Sequence, residues 1–401
     1  MNGRRIRGSL LTSGPHRVVR GICNRTRNPL EGSILVAPRL EAGLYDAMLA
    51  SRAVVCGSGG LTGHMQSICR GRGIPVLLVD QADLAGLAGE VTLDLDSQSV
   101  VVGPDTPPRT PSPDDLGSAC AVIADLRDIH TVNSCGPDAK RVESFFIREE
   151  FLCLAANLRP LDALAGGPAD VAAYGRALAD RLCAFVEALL PGQRLVLRML
   201  DLRSDHAADV TEQTRVAVEP NPELGLHGAR WLLGSTAYRD ALHALLTLLA
   251  ERLGEEAGRV SLAAPFLTDE QEFVRLRAHL ELPADLPMSA FVETPAAVHA
   301  SPALCAAGAS ELFLGMKDLV QFYLAADRSN HLVAGTYQTR HPAVLDGVRT
   351  VVEAARASRT PVRVFTLGAD FAHYLERLPT PDGYMMCTAE LLQVLLPAET
   401  P

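Results

Sequence analysis

Two different patterns of apolar segments divide the chain. Up to about residue 103 the apolar segments are short, and turn residues separate them. These segments are 33–38, 53–58, 75–80 and 91–103, and a helix begins among them near His64. Short apolar runs bounded by Gly, Pro, Asn and Asp are typical of β-strands. The first part of the chain is therefore predicted to be a compact, strand-rich domain.

After residue 116, apolar strands alternate with longer amphipathic stretches. The predicted strands are CAVIADL (120–126), SFFIR (144–148), RLVLRML (194–200), VSLAAPF (260–266), MSAFVE (288–293), ELFLGM (311–316), VRVFTL (362–367) and YMMCT (384–388). Intervening stretches such as 171–190 and 239–256 have the apolar spacing of helices. Strands that alternate with helices eight times predict an α/β fold of the (β/α)₈, or TIM, barrel type.

A proline-rich segment joins the two parts. PDTPPRTPSPDD, residues 104–115, has five prolines in twelve residues. Such a segment favours extended polyproline II structure and would span on the order of 35 Å, at about 3.1 Å per residue. We therefore expect a swivelling domain over residues 1–103, a linker over 104–116, and a barrel over 117–401.

Composition narrows the possible partners. The net charge of −10 argues against nucleic acid or an anionic membrane as the main partner. Nine cysteines without a C-x-x-C pair argue against a disulfide framework or a zinc site, and they favour reduced thiols in the cytoplasm. The sequence contains no run of about 18 apolar residues, so it predicts no membrane span. The basic N-terminus has no long apolar core, so we interpret it as a short tail.

The segment around His64 combines features that suit an anion. Gly59 and Gly60 allow a tight turn, Thr62 can cap the helix that follows, and His64 falls in its first turn. Free N–H groups and the positive helix end would stabilise a phosphoryl group there, and a neutral imidazole is a competent nucleophile. A capping turn with an incidental histidine explains the same residues, so this chemistry alone leaves both interpretations open.

Charged residues recur at the predicted C-terminal ends of the barrel strands, where barrel enzymes place their active sites. They are Arg148, Arg198, Glu293, Asp318 and, in the following helix, Arg328. Arginines match phosphate oxygens in a bidentate manner, and Mg²⁺ takes one or two carboxylates plus substrate and water oxygens. Each residue could also form an ordinary surface ion pair.

Two groups of motifs resemble the phosphoenolpyruvate-utilising enzymes, a family that includes enzyme I of the sugar phosphotransferase system, pyruvate phosphate dikinase and phosphoenolpyruvate synthase. GGLTGHMQSICRGRGIPVLL resembles their phosphohistidine domain. SFFIREEFL, LVLRMLDLRSDH, AFVETPAAV and LFLGMKDLVQFYLAADRSN resemble segments of their barrel. The resemblance implies a phosphorylated histidine at His64, substrate contacts at Arg148, Arg198 and Arg328, and Mg²⁺ ligands at Glu293 and Asp318. It also implies a homodimer.

The sequence departs from the family at several positions. His227 stands where the family has a phosphate-binding arginine, Lys317 replaces an asparagine, and His206 replaces a lysine. His227 and Lys317 are therefore further candidates for substrate binding. Phe365 occupies the position of the family's proton-donating cysteine; Cys387 on the next strand could approach the site or be a structural thiol. Lys317 could restore the lost positive charge. Only 63 residues precede His64, so we expect neither an ATP-grasp domain nor a carrier-docking subdomain.

These features predict a phosphotransferase that moves the phosphoryl group of phosphoenolpyruvate to His64 and then to an unidentified acceptor, releasing pyruvate. The acceptor could be a protein or a small molecule. A catalytically impaired, phosphoenolpyruvate-binding regulatory relative is the main alternative, because the family's proton donor is missing. Enolate chemistry on the same barrel is a further possibility.

Overall fold

The computed structural model describes residues 5–60, 64–102, 111–205 and 219–396. These residues form two closed barrels, one after the other along the chain. The first barrel contains seven strands, whose order is β1-β5-β4-β3-β2-β6-β7. They are β1 (Arg5–Thr12), β2 (Val18–Asn24), β3 (Ile34–Ala37), β4 (Ala53–Cys56), β5 (Val76–Val79), β6 (Glu90–Asp94) and β7 (Ser99–Val102).

The middle of the first barrel is a parallel β2-β3-β4-β5 sheet, and its other pairs are antiparallel. Helices α1 (Tyr45–Leu49), α2 (His64–Gly71) and α3 (Gln81–Leu84) accompany these strands. Every residue of β3, β4 and β5 is buried. Such continuous burial arises because the sheet is covered on both faces, which explains the unbroken apolar runs in the sequence.

The second barrel has eight parallel strands in the order β10-β11-β12-β13-β14-β15-β8-β9. They are β8 (Ala119–Ile123), β9 (Val142–Arg148), β10 (Arg194–Arg198), β11 (Val260–Ala264), β12 (Met288–Val292), β13 (Leu312–Leu314), β14 (Val362–Phe365) and β15 (Gly383–Cys387). All eight predicted strands are present, and the (β/α)₈ prediction is confirmed.

Helices surround this barrel. They are α4 (Leu126–Asn133), α5 (Glu149–Ala155), α6 (Pro160–Ala165), α7 (Pro168–Glu187), α8 (Gly228–Leu232), α9 (Thr236–Leu253), α10 (Glu270–His279), α11 (Pro295–Ala306), α12 (Met316–Leu324), α13 (Pro342–Ser358), α14 (Gly368–Arg377) and α15 (Thr388–Leu395). None of the described helices is long and apolar enough to cross a membrane.

The barrel interior is filled. Phe146, Phe291 and Phe313 meet with ring centroids 5.2 to 6.4 Å apart. Near the N-terminal ends of the strands, Arg194 pairs with the fully buried Glu311 at 2.6 Å, and Arg363 also contacts Glu311. These side chains fill the N-terminal end of the barrel interior.

Part of the predicted linker has a defined structure. Residues 104–110 lie outside the described part of the chain. Residues Pro113–Leu116 form a short 3₁₀-helix instead of an extended segment. Its N-terminus is held because the Asp115 carboxylate accepts hydrogen bonds from the Ser112 N–H and hydroxyl, at 2.8 and 2.9 Å. The expected linker is therefore anchored to the second barrel at its end, where Asp114 also pairs with Arg141 at 2.7 Å.

The first barrel lies against the C-terminal end of the second. The Arg17 guanidinium donates a hydrogen bond to the Gly368 carbonyl, just past β14, and Ser13 contacts Glu390, just past β15. Ala334 and Tyr337 of the second barrel pack against an apolar cluster of the first. We call this arrangement the docked state.

Candidate active site

Gly60, which precedes α2 in the chain, touches the second barrel directly. Helix α2 begins at His64, as predicted, although residues 61–63, including Thr62, and the His64 side chain lie outside the described atoms. At Gly59 the backbone has φ +150°, a conformation that suits glycine. A Cβ on Gly60 would lie 2.6 Å from the Ser329 carbonyl oxygen. Gly60, four residues before His64, therefore lies next to the residue that follows Arg328.

Two of the predicted substrate arginines end neighbouring strands. Arg148 on β9 and Arg198 on β10 are paired in the strand register. Arg198 is buried, and it contacts Glu150 at 2.9 Å, Asp201 at 3.3 Å and Glu293 at 3.5 Å. These carboxylates fix its position.

Arg148 has a different environment. Its guanidinium lies 4.0 Å from the centre of the Phe151 ring, and it pairs with no carboxylate of the described chain. Burial, followed by the charge of Arg198, lowers the pKa of Arg148 to about 10. A partly buried guanidinium that pairs with no carboxylate of the described residues favours an anionic ligand, because the ligand would supply a paired charge.

Two carboxylates approach each other beside these arginines. Glu293 follows β12 and is almost fully buried, and its Oε2 accepts a hydrogen bond from the Phe266 N–H at 2.9 Å. Asp318 lies in the first turn of α12 and pairs with Arg328 at 2.9 Å. Gly315 makes room for Glu293, because a Cβ there would lie 2.5 Å from its Cγ.

The electrostatics of this pair suit a hard cation. Burial raises the pKa of Glu293 well above its usual value; Arg198 opposes this shift and Asp318 adds to it. A bound cation would offset the cost of burying the charged carboxylates and would reduce the repulsion between them. No group of three or more His, Cys, Asp or Glu side chains within the described ranges could hold a metal. Mg²⁺ bound here would therefore depend on Glu293, Asp318, water and substrate oxygens, a ligand set that this ion commonly takes.

Lys317 and His227 have distinct surroundings. The Lys317 ammonium lies 5.1 Å from the centre of the Phe365 ring. Burial, followed by the nearby charge of Arg70, lowers the pKa of Lys317 to about 7. His227 is buried, with Nδ1 2.7 Å from an Asp201 carboxylate oxygen and Nε2 3.1 Å from the Glu223 carbonyl. Both ring nitrogens of His227 are thus engaged within the protein.

The remaining predicted residues are also accounted for. His206 lies outside the described residues. Cys387 ends β15, and burial followed by the charge of Glu390 raises the pKa of its thiol. Lys317, Arg70 and Arg148 lie close enough to Cys387 to oppose that shift. The thiol therefore lies at the barrel mouth in its protonated form.

The structure also reveals a buried carboxyl group that sequence reasoning missed. Glu149, next to Arg148, accepts hydrogen bonds from the Tyr174 hydroxyl at 2.5 Å and the Tyr238 hydroxyl at 2.6 Å. Burial raises the pKa of Glu149 to about 7, although the tyrosine bonds oppose this shift. The adjacent Glu149 and Glu150 were visible in SFFIREEFL, but their spacing does not tell which one is buried.

Two family models match this chain. The family model for the PEP-utilising enzyme, PEP-binding domain, matches residues 141–366, and that for the PEP-utilising enzyme, mobile domain, matches residues 29–103.

Relatives cover much of the chain. A probable phosphoenolpyruvate synthase of Archaeoglobus fulgidus is 24% identical over 87% of this chain and 47% of its own length. A phosphoenolpyruvate-protein phosphotransferase of Haloferax volcanii is 28% identical over 81% of this chain and 59% of its own length. The chain spans about half the length of these two relatives. It belongs to the family of phosphoenolpyruvate-utilising enzymes.

Proposed function

We propose that this protein transfers the phosphoryl group of phosphoenolpyruvate to His64 and then to an acceptor, releasing pyruvate. The observation that carries the proposal is the contact between Gly60 and Ser329, because it brings a residue four positions before His64 beside the residue that follows Arg328. Arg148, which pairs with no carboxylate that the structure describes, and the two carboxylates Glu293 and Asp318 support binding of a phosphate ester with a cation at the same place.

In the proposed reaction, Arg148, Arg198 and Arg328 bind the anionic ester. Bound Mg²⁺, held by Glu293 and Asp318, would neutralise charge on the phosphate and enolate oxygens. The imidazole nitrogen of the histidine bonds to phosphorus while the bond from phosphorus to the enol oxygen breaks. Such transfer depends mainly on positioning and on charge neutralisation.

The pyruvate enolate that leaves must gain a proton at C3. Phe365 cannot supply one, whereas the Cys387 thiol is protonated and lies near Arg148 and Lys317. Water is the other source. After transfer, a movement of the first domain would release pyruvate and admit the acceptor, which would then take the phosphoryl group from the phosphohistidine. A homodimer and a cytoplasmic location remain predictions.

Intact mass spectrometry after mixing with phosphoenolpyruvate and Mg²⁺ tests the proposal. The protein should gain the mass of one phosphoryl group, and a His64→Ala variant should gain none. Incubation of the radiolabelled phosphoprotein with candidate proteins and with small molecules would then identify the class of acceptor.

The alternative, a phosphoenolpyruvate-binding relative without turnover, draws support from Phe365 and from His227, whose ring has no free nitrogen. It predicts binding of phosphoenolpyruvate in calorimetry together with an unchanged protein mass. An unchanged mass in the wild-type protein would thus reject the phosphotransfer proposal in favour of this one.

A further inference from the structure

A cavity of about 430 Å³ lies between the two domains, beside the barrel mouth. One wall comes from β1 and the turn between β6 and β7, and the other from segments after α12 and β14 of the second barrel. The polar groups that matter are Arg7, Gln98, Arg328, Gln338, Arg340 and Asp370. The volume lies in the range of about 300–1,000 Å³ that small-molecule sites occupy. Because each domain supplies one wall, the cavity is complete only in the docked state.

Positive charge predominates in this cavity. Arg340 is neutralised by Asp370 at 2.7 Å, and Arg328 by Asp318 at 2.9 Å. Arg7 is exposed and forms no ion pair with any residue that the structure describes. In a chain with net charge −10, a cavity with an uncompensated arginine favours an anion.

The uncharged lining favours hydroxyl groups. Gln98 uses its Oε1 to accept the Leu10 N–H at 3.0 Å, so its amide N–H groups remain available to a ligand. Gln338 uses its Nε2 to donate to the Gly335 carbonyl at 3.1 Å, so its amide oxygen remains available. Donors and acceptors together match hydroxyl groups, since a hydroxyl group needs both.

The cavity is separate from the proposed phosphoenolpyruvate pocket but adjoins it. Arg148, Arg198, Glu293 and Asp318 do not line the cavity, and Arg328 is the predicted substrate residue that does. The cavity is also close to the turn before α2, because Leu11 in its wall lies 3.7 Å from the position of a Cβ on Gly59. A ligand here would lie close to Gly59, five residues before His64.

We propose that this interdomain cavity binds a small, hydroxyl-bearing anion that accepts the phosphoryl group, an inference that rests on the proposed function. In this step the acceptor's hydroxyl oxygen bonds to phosphorus while the N–P bond of the phosphohistidine breaks. The hydroxyl proton ends on the imidazole nitrogen that the phosphorus leaves.

D-Glycerate, which carries a carboxylate and two hydroxyl groups, is a suitable probe, and glycerol is its uncharged counterpart. Protein radiolabelled with phosphoenolpyruvate and freed of excess substrate is incubated with each compound. The wild-type protein should transfer its label to D-glycerate at least about 10-fold faster than to glycerol, because a charge-assisted hydrogen bond holds the anion. Arg7→Gln should remove most of this preference.

Arg52→Gln is the matched control, because Arg52 is also exposed but precedes β4, at the end opposite the Gly59–Gly60 turn. It should transfer label as the wild type does. Equal rates with both compounds, or an undiminished preference in Arg7→Gln, would overturn the proposal. If no label enters the protein, the proposed function fails instead. Calorimetry then decides the cavity's role: D-glycerate binding that Arg7→Gln weakens supports an anion site, and absence of binding rejects it.

Discussion

Replacing Gly60 with alanine should separate docking from folding. The added Cβ would lie 2.6 Å from the carbonyl oxygen of Ser329 and 2.9 Å from its Cα. These are backbone atoms, so no side chain can rotate to relieve the clash. Gly60 has no positive φ, so alanine does not strain the first domain itself. The substitution therefore penalises the docked state alone.

The magnitude follows from the cost of overpacking. Forcing an extra methyl group into a tight contact costs about 1–3 kcal/mol, and this energy would lower the docked fraction about 5- to 150-fold. Phosphorylation of His64 by phosphoenolpyruvate, followed by rapid quench, should slow by the same factor. Binding of phosphoenolpyruvate in calorimetry should be unaffected, because the barrel residues are unchanged.

Gly71→Ala is the matched control for this experiment. Gly71 ends α2, the helix that follows Gly60 in the chain, and a Cβ there meets no atom within 4 Å. It should phosphorylate His64 at the wild-type rate. If Gly60→Ala also phosphorylated at the wild-type rate, the docked state would not be the reactive state, and the argument from this contact would be wrong.

Three further predictions concern the barrel mouth. Lys317→Ala should weaken phosphoenolpyruvate binding in calorimetry by about 2–4 kcal/mol, as loss of one oxyanion donor does. Lys140 is exposed, so Lys140→Ala should leave the affinity unchanged. Unchanged affinity in Lys317→Ala would show that Lys317 does not bind the substrate. Asp318→Asn should reduce Mg²⁺-dependent phosphorylation of His64 at least about 10-fold, and activity that persists at wild-type Mg²⁺ concentrations would contradict the ligand assignment. The pKa of Glu149 is raised to about 7, so its stabilising contribution is complete below pH 4.5 and is lost as the pH rises through 7. In urea unfolding, the free energy of unfolding of Glu149→Gln should therefore vary with pH by about 3 kcal/mol less than that of the wild type. Identical pH profiles for the two proteins would contradict this assignment of the Glu149 pKa.

The sequence predicted the barrel because its strands are continuous apolar runs. The segment MSAFVE, for example, became β12 with Glu293 directly after it. Strands that are buried on both faces consist of consecutive apolar residues, and such a run can be recognised in a single sequence. The positions of Arg148, Arg198 and Asp318 followed from the same pattern, because parallel strands bring their C-terminal ends together.

Pairings between distant segments could not be predicted. The contact of Gly60 with Ser329, and the two tyrosine hydroxyls that bind Glu149, join residues far apart in the chain. Periodicity reports which face of an element is buried but not which partner covers it. The sequence also could not show that both His227 nitrogens have partners. One partner is the backbone carbonyl of Glu223, and a carbonyl contact leaves no sign in the residue type.

A single-turnover measurement of pyruvate and phosphoprotein tests the central claim most directly. Excess protein is mixed with limiting radiolabelled phosphoenolpyruvate and Mg²⁺, and both products are counted after quenching. The account predicts one pyruvate for each phosphoryl group on His64, and neither product with His64→Ala. Pyruvate formed without labelled protein, or equal labelling of His64→Ala, would contradict it.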